Sequence, residues 1–432
     1  MAATALRHLA GRRRPRRAPV LALLLVTLAG LVAACGSESG PPTLTWYINP
    51  DTGGQDAVAK RCSTDQYTID TQVLPTDAGQ QRIQLARRLA AGDTSIDLMS
   101  IDPPYTAEFA NAGYLAPLPA SLQQTLRQQS FRSAVDAATW KGQLVAAPFW
   151  SNTQVLWYRK SFVAKTDLDL SQPVTWDQII TAAADHDGTV AVQANKYEGY
   201  VVWINALVSG AGGSLVTNAG RGVNATISID SPAGQDAARV IEDLSRSPAA
   251  PADLSVSNEG TAGTTFGGPR GAFMVNWTYI FHNYDTDAPD VARDIGYTLY
   301  PRTVPDDPAR PPYGGIGIGI SSYTNHADLA ARAVRCMTSP TSQGINAELT
   351  GNMPASPAGY EYPALRKAYP ESLRALFQRS LEMAAPRSVT PYWSDISSAI
   401  QSTWHAPGSV TNATPARSAT FIEQVLHGKA LL

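Results

Sequence analysis

Thr43-Leu44-Thr45-Trp46-Tyr47-Ile48-Asn49 alternates as a strand does, with Leu44, Trp46 and Ile48 on one face. The pattern then changes period: a helix is expected over roughly 54–62, a second strand near Thr68–Leu74, and a helix across Gln80–Ala91 carrying Ile83, Leu85 and Leu89. Ile96-Asp97-Leu98-Met99-Ser100-Ile101 reads as a buried strand and is followed by a helix from about Thr106 to Ala112. Strands alternating with helices predict a mostly parallel α/β sheet.

Further along, residues 145–158 form a long extended segment, with Pro148 where the chain can pass from one domain to another. Helices are expected over 176–185, about 198–208 and 232–246, and Asn276-Trp277 closes the apolar run Ala272-Phe273-Met274-Val275. Residues 301–313, rich in proline and charge, read as a loop. They lead into Tyr313-Gly314-Gly315-Ile316-Gly317-Ile318-Gly319-Ile320, which on a strand bares the backbone on one face and packs isoleucine on the other. This stretch passes between domains or lies against a ligand. It does not fit a nucleotide site, because neither the G-x-G-x-x-G spacing nor Gly-Lys-Ser/Thr is present.

The start of the chain has its own logic. Five arginines (Arg12, Arg13, Arg14, Arg16, Arg17) precede the apolar run Val20–Val26, and Leu31-Val32-Ala33-Ala34-Cys35 follows. A basic region, a short apolar region and small residues read as an export signal, and the cysteine after Ala-Ala resembles a bacterial lipobox. The expectation is a signal peptide over 1–34, a lipid on Cys35, and a polar tether over 35–42. The apolar run is shorter than the roughly 20 residues of a membrane-spanning helix.

About 400 residues remain after such a cleavage, enough for two domains. The 34 basic and 36 acidic residues nearly cancel, which argues against a nucleic-acid partner. No histidine pair has metal spacing and no Gly-x-Ser-x-Gly elbow occurs in the mature chain, so neither a metal, another cofactor nor a nucleophilic enzyme is indicated. Carboxylates are plentiful enough that a paired-acid glycosidase stays open on composition. Cys62 and Cys336 either pair, the reading we favour for an exported chain, or stand as buried free thiols.

Aromatic and neutral-polar residues cluster at expected strand ends and loops: Asp102 with Tyr105, Trp150 with Asn152, Glu259, Asn276 with Trp277, and Arg387 with Tyr392 and Trp393. Sugars need this mixture, since their C–H faces pack on rings while Asp, Asn, Glu and Arg hydrogen-bond hydroxyls.

Several stretches carry a resemblance: Leu74-Pro75, Gln81-Arg82-Ile83-Gln84-Leu85-Ala86-Arg87-Arg88-Leu89, Thr106-Ala107-Glu108-Phe109-Ala110, Asn152-Thr153-Gln154 with Leu156-Trp157-Tyr158-Arg159, Ala191-Val192-Gln193-Ala194-Asn195, Val275-Asn276-Trp277 and Ala333-Val334-Arg335-Cys336. In this order, from about residue 45 to 395, the chain resembles the extracytoplasmic sugar-binding lipoproteins of ABC importers, most closely the mycobacterial trehalose-binding lipoproteins of trehalose-recycling importers. It departs from them over 285–312, which is short and proline-rich here.

The resemblance implies a non-enzymatic, two-lobed α/β periplasmic-binding-protein-like fold with the ligand between the lobes. Lobe one would comprise 43–149 plus 314–352 and lobe two 150–313 plus 353–432, hinged near 148–153, 312–316 and 351–355. It implies a monomer that binds a disaccharide, trehalose before maltose or another α-glucoside, and hands it to membrane permease subunits. The implied contacts are Gln81, Asp102, Asn152, Glu259, Trp277, the backbone at Gly315 and Ile316, and Arg387, with Asn49 and Gln80 beside them. Asp102 and Glu259 would accept from hydroxyls, Arg387 would donate, and Trp277 would stack on a pyranose. Both cysteines fall at matching positions, which implies the disulfide. A secreted glycoside hydrolase and an envelope scaffold are the readings from other classes.

Overall fold

The structure is a computed structural model that describes residues 40–432, so the expected signal and Cys35 lie outside the described residues. Residues 43–432 form one compact unit. Its centre is a mixed sheet of eight strands: β1 (Thr43–Ile48), β2 (Thr68–Val73), β3 (Leu98–Ile101), β4 (Ala147–Arg159), β5 (Thr189–Ala191), β6 (Gly271–Trp277), β7 (Ile295–Thr298) and β8 (Tyr313–Ile320). The order is β2-β1-β3-β8-β4-β6-β5, with β7 also paired to β4. The β1–β2 and β1–β3 pairs are parallel, as is β6–β5. All pairings of β8 and β4 are antiparallel, so the sheet is more mixed than the alternation of strands and helices predicts.

The 13-residue strand β4 organises the sheet. Its first half, up to Thr153, pairs with β8, and its second half pairs with β6 and β7. Every residue from Ala147 to Trp157 is buried, with apolar side chains at both ends and the polar run Ser151-Asn152-Thr153-Gln154 between them.

The face of β1 expected to be buried is buried. Leu44, Trp46 and Ile48 pack in one cluster with Val58 and Cys62 of helix α1 (Gly54–Cys62) and with Val334 and Met337 of α2 (Ala327–Met337). Cys62 and Cys336 are bonded, with 5.7 Å between their Cα atoms, which excludes the free-thiol alternative. The bond ties α1 to α2 across 274 residues of sequence, beside the Ser342 hydroxyl.

Helices expected at 176–185, 198–208 and 232–246 occur at Trp176–Asp185, Glu198–Gly210 and Pro232–Arg246. The 285–312 region contains a short helix at Pro289–Asp294, then β7, then an irregular segment. Helices Glu371–Met383, Trp393–Trp404 and Thr414–Leu426 complete the chain. Among the described residues no helix is long and apolar enough to cross a membrane.

The disulfide closes a very long loop and lowers the entropy of the unfolded chain. Replacing both cysteines by alanine is expected to cost about 2–4 kcal/mol. Denaturant unfolding checks this: a lowered midpoint is predicted, and an unchanged midpoint would show that the bond contributes nothing to stability.

Candidate functional site

A cleft of about 680 Å³ opens where β1, β3, β4, β6 and β8 end or cross. That volume is within the roughly 300–1,000 Å³ of small-molecule sites. Nine of the ten expected ligand residues line it: Asn49, Gln81, Asp102, Asn152, Glu259, Trp277, Gly315, Ile316 and Arg387.

Each is held by its surroundings. Asn49 follows β1, and its backbone carbonyl accepts from Gln55 Nε2 at 2.8 Å. Gln55 Oε1 in turn accepts from Ser100 Oγ at 3.0 Å, and Ser100 Oγ accepts from Trp46 Nε1 at 3.1 Å. A buried polar chain therefore fixes the loop after β1 against β3. Asn49 Nδ2 donates to Gln81 Oε1 at 2.6 Å, and Gln81 Nε2 donates to Pro75 O at 2.7 Å. Asn152 is locked from both sides: Nδ2 donates to Asn352 Oδ1 at 3.0 Å, and Oδ1 accepts from Thr278 Oγ1 at 3.2 Å.

Arg387 lies at the base of the cleft, with 5% of its side chain exposed. Its Nη2 donates to Asp102 Oδ1 at 3.0 Å and its Nη1 to Glu198 Oε1 at 2.7 Å. Glu198 also accepts from Trp393 Nε1 at 2.8 Å and from the Ser397 hydroxyl. Burial works against the Arg387 charge, but Asp102 and Glu198 outweigh it and hold the guanidinium protonated. Burial pushes the Asp102 carboxyl up to about 6, helped by the negative charges of Glu198 and Glu259 and opposed by Arg387. Burial also raises Glu259, while Tyr197 and Trp277 beside it pull the other way. The Tyr197 hydroxyl sits near that carboxyl but outside hydrogen-bond geometry, so it has no partner; Asn49 Oδ1 is likewise buried and unpartnered.

The glycines expected to bare a backbone do so. Gly315 has φ +129°, and a Cβ there would come within 2.2 Å of Trp150 O, so no larger residue fits the bend in β8. A Cβ on Gly314 would come within 2.7 Å of the Trp277 ring. The indole therefore rests over bare backbone, leaving a cleft-lining aromatic surface beside Trp150.

Other expectations need correction. Tyr105, Asn276, Tyr392, Trp393 and Gln80 do not line the cleft. Asn276 is fully buried and donates to Glu259 O at 3.0 Å, and Trp393 holds Glu198 from behind. Their polar groups are spent on positioning. Tyr197, Glu198, Tyr279 and Asn352 line the cleft without having been singled out by sequence. Glu198 opens a helix, where an acid reads as a complement to the helix dipole.

The sequence pattern that defines the family described as "Bacterial extracellular solute-binding protein" matches residues 58–344, well over half of the chain. The chain belongs to this family. A relative in Deinococcus radiodurans, described as a probable ABC transporter-binding protein, is 25% identical over 386 residues, covering 84% of this chain and 88% of the relative. Maltose-bound MalE3 of T. maritima has the same fold, with a TM-score of 0.78 at 22% identity, covering 90% of this chain and all of that one. The GacH receptor of Streptomyces glaucescens, solved unliganded and with acarbose, gives a TM-score of 0.75 at 20% identity, with coverage of 90% and 100%. The solute-binding protein described here thus has the two-lobed α/β fold of these structures.

A carboxyl whose folded pKa lies above its unfolded value favours folding at low pH, and that contribution fades as pH rises through the folded pKa. Asp102 sets this window between its ordinary 3.8 and about 6. Thermal unfolding of Asp102→Asn and wild type should therefore diverge with pH, the variant gaining relative stability from about pH 4 to 6 and little above that. A pH-independent difference would contradict the raised carboxyl.

Proposed function

We propose that this protein is the lipid-anchored, monomeric receptor of an ABC importer, capturing trehalose in the cleft and delivering it to permease subunits. The observation that carries the reading is convergence. Nine residues implied by resemblance, spread from Asn49 to Arg387, line one cavity together with unpartnered Asn49 Oδ1 and Tyr197 Oη. A neutral sugar would supply donors and acceptors to these atoms and an apolar face to Trp277. Relatives of the same fold hold maltose and acarbose, which keeps maltose as the alternative ligand.

The lobes we assign are 43–149 with 314–352, and 150–313 with 353–432. In support, one hydrophobic cluster is built only from residues of the first set plus Trp150. The hinge segments also run side by side: Tyr313 to Ile316 pair with Thr153 to Trp150, and Ser151 N donates to Met353 O at 2.9 Å. Closure about these crossings would bury the sugar, its differential affinity for the closed form shifting the population. No bond is made or broken in this scheme. The lipid on Cys35 would keep the receptor at the outer membrane face.

Calorimetric titration of residues 36–432 with trehalose and maltose in parallel tests the reading. Tight binding of trehalose is predicted; preference for maltose would replace the substrate, and turnover of an aryl glucoside would replace binding with hydrolysis. Trp277→Ala removes a contact worth roughly 1–3 kcal/mol and should weaken binding about ten- to a hundredfold with little change in unfolding temperature. Arg387→Ala should lower both affinity and stability, because it leaves two buried carboxylates without their cation. Wild-type affinity in both variants would rule out this cleft.

A further inference from the structure

With the lobes assigned as above, one ion pair of the described residues crosses between them: Arg387 Nη2 to Asp102 Oδ1, at 3.0 Å. Every other ion pair among the described residues joins partners within one lobe, as Arg82–Glu108 does in the first and Arg159–Asp294 in the second. The crossing pair lies at the base of the cleft, where opening of the lobes must separate it.

The two carboxylates that share Arg387 differ in what holds them. Glu198 belongs to the same lobe as Arg387, and so do its other partners: Trp393 Nε1 donates to Oε1 at 2.8 Å, and the Ser397 hydroxyl donates to Oε2. It stays with the guanidinium whether the lobes stand apart or together. Asp102 comes from the opposite lobe, at the end of β3 and just ahead of the turn Pro103–Tyr105. Among the described residues its carboxylate takes part in no hydrogen bond except the one from Arg387. Its side chain is 19% exposed, against 8% for Glu198, so it can return to water when the contact breaks. A guanidinium whose sole counter-ion sat on the opposite lobe would be left buried and unpaired at each opening, which is costly. Glu198 removes that penalty.

We propose that Arg387 is a latch between the lobes, closed by Asp102 and seated on Glu198 as its positioning residue. This rests on the closure reading above and names the contact that biases it. Because two carboxylates compete for one guanidinium, they act on the equilibrium with opposite sign. Asp102 draws the lobes together. Glu198 neutralises Arg387 within its own lobe, weakens that pull, and keeps the open form accessible to solute. While the contact is made, the three segments act as one unit. Arg387 has further N–H groups and Asp102 has Oδ2 outside this contact, so a bound sugar bridges both halves of the latch from the cleft side.

The test measures the distance between spin labels on Arg87→Cys and Thr264→Cys, two exposed sites on opposite lobes, in residues 36–432 with and without trehalose or maltose. The native cysteines are bonded to each other and take no label. Carboxylate-to-amide substitutions keep shape and remove charge, and unfolding temperatures verify each fold. Without sugar, Asp102→Asn should move the population toward the long distance and Glu198→Gln toward the short one. Each shift should be about tenfold in the ratio of open to closed, the size of one charge-assisted hydrogen bond. Whichever form dominates in wild type, one of the two variants moves it visibly. Should Glu198→Gln fail to fold, the sugar dissociation rate of Asp102→Asn takes its place; it should rise about tenfold, and a wild-type rate would overturn the latch. Shifts in the same direction, or none in either variant, would overturn it while a sugar-dependent wild-type distance left the closure reading standing. A wild-type distance that neither sugar changes would remove closure itself, and the latch with it.

Discussion

The cleft depends on a buried guanidinium. Arg387 cannot be desolvated alone; it is held by Asp102 from the loop after β3 and by Glu198 from the first turn of the helix that starts there. Breaking one side of such a buried arrangement is costly because the remaining charge is left without compensation. The triad therefore joins segments 102, 198 and 387 into one rigid base. Glu198 is itself fixed by Trp393 and Ser397, so the helix Trp393–Trp404 stands behind the site without lining it.

Two carboxylates share one guanidinium at the base of the cleft, and burial, with the Glu198 charge adding to it, raises the Asp102 carboxyl against the pull of Arg387. The walls follow a different rule. They are made where β4 and β8 cross, and the crossing needs glycine, since Gly315 passes against the carbonyl of Trp150 and Gly314 lies beneath Trp277. Bare backbone on β8 gives room for the indole, and the indole gives the cleft an apolar face. Charge at the base, aromatic surface on the wall and locked amides at Asn49, Gln81 and Asn152 make a site suited to a polyol.

Much of this was legible in the sequence where a local rule dominates. Alternation in Thr43–Asn49 marked β1 and its buried face, and the glycine–isoleucine alternation marked β8, because both strands expose a two-residue period. β7 has only four residues, two of them half-buried, and gives no periodic signal. The antiparallel pairings of β8 and β4 arise from long-range connections that alternation cannot report.

In the site, Asp102, Glu259, Trp277 and Arg387 were legible as chemistry, with resemblance supplying their grouping. Asn276 and Trp393 have the same chemistry, yet their polar groups point to Glu259 O and Glu198. Composition does not distinguish a ligand contact from the group that positions it. Glu198 was hidden for the converse reason: an acid in the first turn of a helix has a sufficient local explanation, and only the approach of Arg387, 189 residues away, gives it another role.

We propose that a disaccharide lies between Trp277 and the Asp102–Arg387–Glu198 base. A crystal structure of residues 36–432 grown with trehalose tests it most directly. One sugar is expected in the cleft, with a pyranose face on Trp277, hydroxyls within hydrogen-bond distance of Asp102 and Glu259, and partners for Asn49 Oδ1 and Tyr197 Oη. A sugar bound elsewhere on the protein, with these two atoms still unpartnered, would contradict it.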